Sequence, residues 1–599
     1  MESSDAQRVR DGSQKRSAID LIMNQIRRKA SFERRQRPVG FLFRPGENND
    51  RKSKGIPEMK ESDSSEGKST VSGTGAEVAS RTTFNGVSVK CDRIDLTDEM
   101  NIYTDPVDME VGSVVGWGRV KQFVEKLGKK PDSQALNLSH CDLTATDMVE
   151  LATLLPFLTQ LEVVDLSWND LVGGSLKALT FHLQHVGKLS ILRLCGCRIT
   201  AQDLTSLGES LDSVPLLEIV DLSWNAGVGG DSLHSLTGQL RSGCMIRELR
   251  LVDCQLIDAD MKALGQALPL MSSLEDLDIS CNRITTGGMK ELFSCLNATH
   301  GLKTLMLHMC GLEQDGLCIL GEALQFFPTL ERLDLSANKG ASGGLAKMTK
   351  NLAQMTHLSC LGIHLCSLSE EDVMALVQVI PSLSALTELD VSSNKKIGDA
   401  LQSLLTALPL PKMRKLLLNN CGLSTDSYQA LGSAVPSLSQ LERLNVSWNK
   451  SVGGNLGLLL GGLLSTCKLQ ELRLSSCDLT TEDVLHLASA SKQGVLSQVK
   501  QLDLSYNGTV GDAGWAALFD EAGGLKALEE LDVSRRPASS AAASPWLAGL
   551  LEALPKLPSL MHVALQHWVL QQEERDKLDN VMNKRKLTVE CDKQSLPPT

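Results

Sequence analysis

The feature that most constrains this chain is a ladder of alternating cysteine and asparagine residues that runs from position 141 to position 507. Neighbouring members lie 27 to 30 residues apart, and most lie 28 apart. Each follows a pair of apolar residues separated by one residue, as in ALNLSHCDL, and this period of two predicts a short strand with one buried face. Fourteen such units predict a solenoid of stacked repeats. The predicted structural ladder is Cys141, Asn169, Cys197, Asn225, Cys254, Asn282, Cys310, Asn338, Cys366, Asn394, Cys421, Asn449, Cys477 and Asn507.

The second half of each Cys-type unit predicts a helix. In CDLTATDMVELATLL, a threonine and an aspartate three residues later precede an apolar helical run, which is the pattern of a capping box. Parallel strands stack ~4.8 Å apart whereas packed helices need ~8–10 Å, so the stack should curve with its strands on the concave side. The predicted capping boxes are Thr144 to Asp147, Thr200 to Asp203, Ser369 to Asp372 and Thr480 to Asp483.

The strict alternation pairs the units into double repeats, and this pattern resembles the ribonuclease-inhibitor subfamily of leucine-rich repeats. The resemblance implies an α/β fold, a leucine-rich-repeat horseshoe solenoid with a parallel sheet on the concave face and helices on the convex face. About 16 repeats of ~28 residues are expected, since two degenerate units follow the ladder. These units begin at Leu528 and Leu560 and carry Arg536 and Trp568 at the anchor position, so they are interpreted as capping repeats.

The sequence predicts four segments. Residues 1–110 lack the repeat and are rich in Ser, Lys, Arg and Glu, so a disordered amino-terminal arm is expected. Residues 111–131 are expected to form an N-terminal capping helix and residues 132–570 the leucine-rich-repeat domain. Residues 571–599 are expected to form a charged C-terminal tail.

Within the amino-terminal arm, residues 19–37 combine isoleucines at helical spacing with several arginines. Two interpretations stay open. One is a basic amphipathic segment that contacts an anionic membrane surface or a partner groove, and the other is a solvated charge run without function. Ser31 follows the basic sequence RRKA and is a predicted phosphorylation target.

Composition narrows the classes of function. The formal net charge of −12 argues against nucleic-acid binding by the repeat domain, which would need clustered Lys and Arg. No run reaches the eighteen or so apolar residues of a transmembrane segment, and the first residues have no apolar signal region, so a cytoplasmic protein is expected. The 16 cysteines are therefore expected to be thiols.

No catalytic constellation is recognisable, and the chain is predicted not to be an enzyme. A G-x-S-x-G match at residues 340–344 falls where other Asn-type units have their glycine turn. The C-x-C at residues 195–197 lacks the second half of a zinc site. No metal and no cofactor are expected.

The strand residues that face away from the core predict a partner-binding surface on the concave face. The position between the two core residues is acidic in most Asn-type units and basic in some Cys-type units. A row of serines, from Ser167 to Ser505, occupies the next exposed position. The charged candidates are Asp165, Asp221, Asp278, Asp334, Asp390, Asp503, Arg193, Arg250 and Arg473.

Four aromatic residues directly precede an anchor asparagine. They are Trp168, Trp224, Trp448 and Tyr506. Trp and Tyr are frequent interface anchors, and these four fall near the two ends of the array. An equally weighted alternative is that the aromatic ring belongs to the repeat consensus and lies flat on the next loop.

These observations predict a protein-binding scaffold or adaptor that recognises a protein ligand through the concave face. The alternative is a stoichiometric inhibitor of a basic enzyme such as a ribonuclease, because the acidic row would complement a cationic ligand. The sequence does not identify the ligand.

Overall fold

The computed structural model describes residues 134–296, 300–463, 468–537 and 541–592. The predicted arm (1–110), with residues 19–37 and Ser31, and the predicted capping helix (111–131) lie outside the described residues.

One parallel sheet of 17 strands runs through the described residues in chain order. Each strand is three residues long, and in all but the last strand the middle residue is buried, while the two flanking residues face the concave side. The strands are β1 Ala135–Asn137, β2 Val163–Asp165, β3 Ile191–Arg193, β4 Ile219–Asp221, β5 Glu248–Arg250, β6 Asp276–Asp278, β7 Thr304–Met306, β8 Arg332–Asp334, β9 Cys360–Gly362, β10 Glu388–Asp390, β11 Lys415–Leu417, β12 Arg443–Asn445, β13 Glu471–Arg473, β14 Gln501–Asp503, β15 Glu530–Asp532, β17 His562–Ala564 and β19 Thr588–Glu590. A separate two-stranded pairing joins β16 Ala541–Ala542 to β18 Trp568–Val569.

Sixteen helices in the described ranges cover the outer side of the sheet. Helices of complete Cys-type units are mostly ten residues long, whereas some Asn-type units hold only four to six helical residues. They are α1 Ala145–Leu154, α2 Leu176–Thr180, α3 Ala201–Ser210, α4 His234–Thr237, α5 Asp258–Ala267, α6 Thr286–Phe293, α7 Gln314–Ala323, α8 Leu345–Leu352, α9 Glu370–Val379, α10 Lys396–Ala407, α11 Thr425–Ala434, α12 Leu456–Gly461, α13 Thr481–Lys492, α14 Asp512–Asp520, α15 Ser544–Ala553 and α16 Gln572–Lys584. The parallel sheet with its outer helices confirms the predicted α/β horseshoe.

The ladder asparagines bind the backbone of two consecutive units. The Asn169 side chain accepts hydrogen bonds from the backbone N–H groups of Cys141 and Leu143, both at 3.0 Å. Its amide nitrogen donates to the carbonyl oxygens of Leu138 and Leu166 at 3.0 and 2.6 Å. Leu138, Leu143 and Leu166 are buried and Cys141 is half-buried, so most of these backbone groups have no water to bond to, and the asparagine fixes both the turn and the stacking.

The ladder cysteines perform a smaller part of the same task. The Cys197 thiol donates to the Leu166 carbonyl of the preceding unit at 3.1 Å. Its own backbone N–H is satisfied by the side chain of Asn225 in the next unit, at 2.9 Å. A small, apolar and weakly donating side chain therefore suffices at alternate anchors.

The predicted capping boxes are confirmed, and they also connect neighbouring units. In α3, the Thr200 hydroxyl accepts from the Asp203 N–H, and the Asp203 carboxylate accepts from the Thr200 N–H at 2.9 Å. The same buried carboxylate accepts from the backbone N–H groups of Gly174 and Leu176 in the preceding unit, at 2.6 and 3.0 Å. Asp203 thus joins the start of its own helix to the glycine turn of its neighbour.

The C-terminal end departs from the expected charged tail. Beyond residue 570, helix α16 is followed by strand β19, which pairs in parallel with β17 and extends the sheet by one strand. Trp568, at a degenerate anchor, is buried and donates from its indole Nε1 to the Val533 carbonyl at 2.8 Å. This bond replaces the contact that an ordinary anchor makes with the preceding unit. Trp568 also packs edge-on against Trp546, with ring centroids 4.8 Å apart.

Candidate protein-binding surface

The strand register brings the predicted charged residues into one row on the concave face. Arg193 is paired in register with Asp165 on one side and Asp221 on the other. Arg250 lies in the same way between Asp221 and Asp278. Opposite charges therefore alternate in the amino-terminal part of the row. In order, the row is Asn137, Asp165, Arg193, Asp221, Arg250, Asp278, Met306, Asp334, Gly362, Asp390, Leu417, Asn445, Arg473, Asp503, Asp532, Ala564 and Glu590.

The aspartates of this row have a structural task that the sequence analysis missed. One carboxylate oxygen of Asp165 accepts a hydrogen bond from the Ser167 N–H at 3.0 Å, and the same bond recurs from Ser223 to Asp221. This Asx turn ends each strand. The aspartates themselves remain only partly buried.

The predicted exposure of the serine row is wrong. All seven serines are buried, because each hydroxyl points along the sheet rather than into the concavity. The Ser447 hydroxyl, for example, accepts from the backbone N–H of Ser475 in the next unit at 3.0 Å. The serines continue the ladder of inter-unit bonds and are not part of a binding surface.

Two of the predicted arginines bind acidic residues of their own strands. Arg250 pairs through Nε with Glu248, and Arg473 pairs in the same way with Glu471. Arg193 makes no ion pair within the described ranges. Its guanidinium, flanked by Asp165 and Asp221, is therefore the row cation most open to a ligand.

The residue before each anchor adopts a left-handed backbone conformation. Trp168, Trp224, Trp448 and Tyr506 all have φ of +63°, as does Cys281 in another Asn-type unit. Large side chains rarely occupy this region, and each such residue costs on the order of 1 kcal/mol. The hydrogen bonds of the anchors hold each turn in place. The residues directly before the anchors, which we call the pre-anchor row, therefore project their side chains from the edge where strand passes into loop.

The amino-terminal shelf, which we define as Trp168 and Trp224, consists of two neighbouring indole rings inclined at 42° to each other. Trp224 is 48% exposed, whereas Trp168 is half-buried. Gly196 is the pre-anchor residue between them. It makes room for the Trp168 ring, because a Cβ atom at this position would lie 2.6 Å from the indole. The two ring centroids consequently approach to 6.2 Å, and His140 stacks on Trp168 at 5.9 Å. Trp168 thus lies on the next loop, while Trp224 presents its ring to solvent.

The carboxy-terminal shelf, defined as Trp448 and Tyr506, repeats this arrangement. The ring centroids are 6.4 Å apart, and Trp448 is 42% exposed. The row residue between them is the small Ser476, whose hydroxyl accepts a hydrogen bond from Arg536 at 2.7 Å. Both shelves therefore consist of two aromatic rings separated by one small residue.

Two histidines in the middle of the concave face were not singled out from the sequence. The rings of His308 and His364 lie 5.5 Å apart, and His364 Nδ1 is 3.6 Å from a carboxylate oxygen of Asp390. Nearby, burial raises the pKa of the Asp278 carboxyl. Their alternation with the serines, two residues after the strand, is the signal that could have located them.

Other kinds of site find little support in the described part of the chain. No group of three or more His, Cys, Asp or Glu side chains among those residues could hold a metal ion. None of the described helices is long and apolar enough to cross a membrane. Residues 340–344 form a short helical turn and a glycine turn with Gly343 at φ +78°, as the repeat pattern predicts.

Comparison with known proteins agrees with this architecture. The family model described as "Leucine Rich repeat" matches residues 271–293, 383–400, 466–488 and 497–519. The chain is 31% identical to ribonuclease inhibitor of Sus scrofa over 375 residues, which cover 60% of this chain and 81% of that protein. It is 28% identical to ribonuclease inhibitor of Mus musculus over 356 residues, covering 58% and 78% of the two chains.

A larger relative shares only part of its length. The chain is 30% identical to NACHT, LRR and PYD domains-containing protein 14 of Mus musculus over 309 residues, which cover 50% of this chain and 30% of that protein. Fold and sequence together define a leucine-rich-repeat protein. Within that class, the chain belongs to the ribonuclease-inhibitor family.

Proposed function

We propose that this protein is a scaffold or adaptor that binds a protein ligand in its concave face, without catalytic activity. The observation that carries the proposal is the pair of aromatic shelves, one toward each end of the array, with half-exposed indoles beside a charged row. Exposed Trp and Tyr next to Arg are the residues that dominate binding energy at protein interfaces. A partner held in the concavity could contact both shelves together.

A cytoplasmic location is part of the proposal. Every cysteine in the described ranges is a free thiol, and the ladder cysteines need their thiol hydrogens to bind backbone carbonyls. A reducing compartment preserves that state. Residues 371–396, 446–460, 472–484 and 502–515 also resemble leucine-rich repeat-containing protein 31, a likeness that implies an intracellular repeat protein without known catalytic residues or a defined ligand.

The test is capture of partners by the immobilised full-length chain from a reducing lysate, compared with a variant in which both shelves are changed to alanine. We expect partners captured by the wild type to be lost, or reduced at least tenfold, with the variant. A matched control removes four exposed apolar residues of the convex helices and should capture normally. The control positions are Val149, Met374, Leu458 and Leu485.

Equal capture by the wild type and the shelf variant would overturn this assignment of the site. Circular dichroism melts of all three proteins establish that the substitutions leave the fold intact. Since the four shelf residues lie outside the hydrophobic core, the shelf variant is expected to melt within a few degrees of the wild type.

A second candidate is a stoichiometric inhibitor of a basic enzyme such as a ribonuclease. It is favoured by the family relationship and by the partly open aspartate row, which would complement a cationic enzyme. Inhibition would be tight and would weaken steeply with salt. A ribonuclease assay without inhibition at micromolar protein removes this candidate and leaves the first untouched.

A further inference from the structure

The first residue of each strand faces the concave side, and in the first four strands this residue is apolar. Val163 pairs in register with Ile191, and Ile191 with Ile219, so these three lie side by side at the ~4.8 Å spacing of neighbouring strands. All three are half-buried, and Ala135 of β1 beside them is exposed. The aliphatic stripe, which we define as Ala135, Val163, Ile191 and Ile219, therefore extends for about 14 Å across the sheet.

The same position is charged or polar in the strands that follow, with the exception of Cys360. Some of these side chains neutralise one another: the Lys415 ammonium lies 2.7 Å from a carboxylate oxygen of Glu388. The stripe ends at Glu248, which pairs with Arg250 of its own strand. The fold therefore does not require an aliphatic residue at this position. From β5 to β15 the residues are Glu248, Asp276, Thr304, Arg332, Cys360, Glu388, Lys415, Arg443, Glu471, Gln501 and Glu530.

Three carboxylates without an ion pair in the described ranges border the aliphatic stripe. Asp165 and Asp221 lie two residues farther along β2 and β4, about 7 Å from the stripe, and Glu162 directly precedes β2. Arg193, in register between the two aspartates, also lacks an ion pair among the described residues. The carboxylates outnumber this cation by two, so the border of the stripe is acidic.

An apolar stripe with an acidic border suits a large aliphatic side chain that has Lys or Arg beside it. The aliphatic side chain would remove the stripe from water. Long basic side chains can lay their methylene groups along the stripe and still reach the carboxylates. A second copy of this chain fits poorly, because its net charge of −12 would bring like charge to the acidic border.

We propose that the aliphatic stripe is the docking site for a basic amphipathic segment of a protein ligand. A large aliphatic side chain of that segment covers Ile191, and the Lys or Arg residues beside it approach Asp165 and Asp221. This site rests on the proposed function and deepens it, since it names the chemistry of the ligand segment and the strands that receive it. An acidic segment would meet like charge at the border and is selected against.

Three capped peptides test the proposal on the full-length chain. The first is Gly-Arg-Ser-Leu-Ser-Arg-Gly, the second has serine in place of leucine, and the third has glutamate in place of both arginines. The isoleucine δ1 methyl groups of the protein are labelled with carbon-13, and single Ile→Val variants assign the resonances of Ile191, Ile219 and Ile257. At equal millimolar concentration, the first peptide should shift the two stripe resonances at least threefold more than either of the others.

The Ile257 methyl group is the control, because this side chain is exposed at the start of α5, outside the stripe, and should not respond. Equal shifts by the leucine and serine peptides would show that the aliphatic contact is absent. Equal shifts by the arginine and glutamate peptides would show that the acidic border does not select. Either result, or no shift of the stripe resonances by any peptide, would overturn the proposal.

A charge-removing variant isolates the acidic border. Asp221→Asn should weaken binding of the first peptide about two- to fivefold, the range expected for one exposed charge contact. The substitution keeps the Asx turn, because Asn445 in the same row accepts the same bond from the Ser447 N–H at 3.0 Å. Asp503→Asn, at the same position near the other end of the row, is the matched control and should leave binding unchanged. Equal effects of the two substitutions would contradict a local border.

An Ile191→Thr variant isolates the aliphatic contact, with the Ile219 methyl group as the readout. In this variant the leucine peptide should bind no better than the serine peptide. Stripe resonances that shift with protein concentration alone would make a second copy the occupant and overturn the proposal. If the shelf variant retains its partners while the first peptide binds the stripe, the proposed function fails alone. If the shelf variant loses its partners but no peptide shifts the stripe resonances, only this inference fails.

Discussion

At the residue scale, the anchors show how a repeat tolerates two chemically different side chains at one position. Asn338 donates from its amide to the carbonyl oxygens of Leu307 and Leu335 and accepts from the Leu312 N–H. The Cys366 thiol has only donor contacts, to the carbonyl oxygens of Leu335 and His364 at 3.2 and 3.5 Å. The Cys366 unit tolerates the weaker anchor because Asn394 of the next unit accepts from the Cys366 and Leu368 N–H groups and donates to the Ile363 carbonyl. Each asparagine thus supports the Cys-type unit that precedes it.

The buried thiols should make the protein less stable as the pH rises into the alkaline range. Burial raises the pKa of the Cys254 thiol from its ordinary 9.0 to about 12. Between these values the unfolded chain loses the thiol proton and the folded chain keeps it, so the free energy of unfolding falls as pH rises, by up to about 1.4 kcal/mol per pH unit for each such thiol. Urea melts of the wild type and Cys254→Ala across this window should show a shallower decline for the variant, and identical slopes would contradict the account.

At the element scale, the capping aspartate explains why the Cys-type helices start where they do. The Asp483 carboxylate accepts from the Thr480 N–H in its own helix and from the Gly454 and Leu456 N–H groups of the preceding unit. In α7, Gly316 takes the place of this aspartate, and a Gln314 side-chain bond to the Gly343 carbonyl joins the two units instead. In α11 the position is Ser427, whose hydroxyl donates to the Gly398 carbonyl of the preceding unit at 3.0 Å, so both α7 and α11 are joined to their neighbours without this carboxylate.

Removal of one such carboxylate should lower the free energy of unfolding by more than removal of an ordinary residue in the first turn of a helix. Asp203→Ala removes the buried carboxylate that accepts from the Gly174, Leu176 and Thr200 N–H groups and leaves that of the buried Leu176 without a partner, so we expect a loss on the order of 2–4 kcal/mol. Asp426→Ala, which removes an exposed first-turn aspartate of α11, should cost less than about 0.5 kcal/mol. Chemical unfolding of both variants measures the difference, and similar losses would refute the bridging role.

At the scale of the whole molecule, the sequence predicted the solenoid, its parallel sheet and its capping boxes, because each depends on residues at fixed spacing. It missed the burial of Ser167 and its counterparts. A polar residue two positions after a strand is expected to be exposed, and only the structure shows that the N–H of the next unit donates to its hydroxyl. It also missed strand β19, which belongs to no leucine pattern, and the pairing of Trp224 with Trp168 across Gly196. These features depend on contacts between units.

Site-specific photo-crosslinking tests most directly whether a protein ligand binds on the concave face. A photoreactive amino acid is placed at Asp334, in the middle of the concave row, or at Met374, exposed on the convex helix α9. With a partner captured by the wild-type chain, the account predicts an efficient crosslink from position 334 and none above background from position 374. A crosslink from position 374 with none from position 334 would place the ligand on the convex side and contradict it.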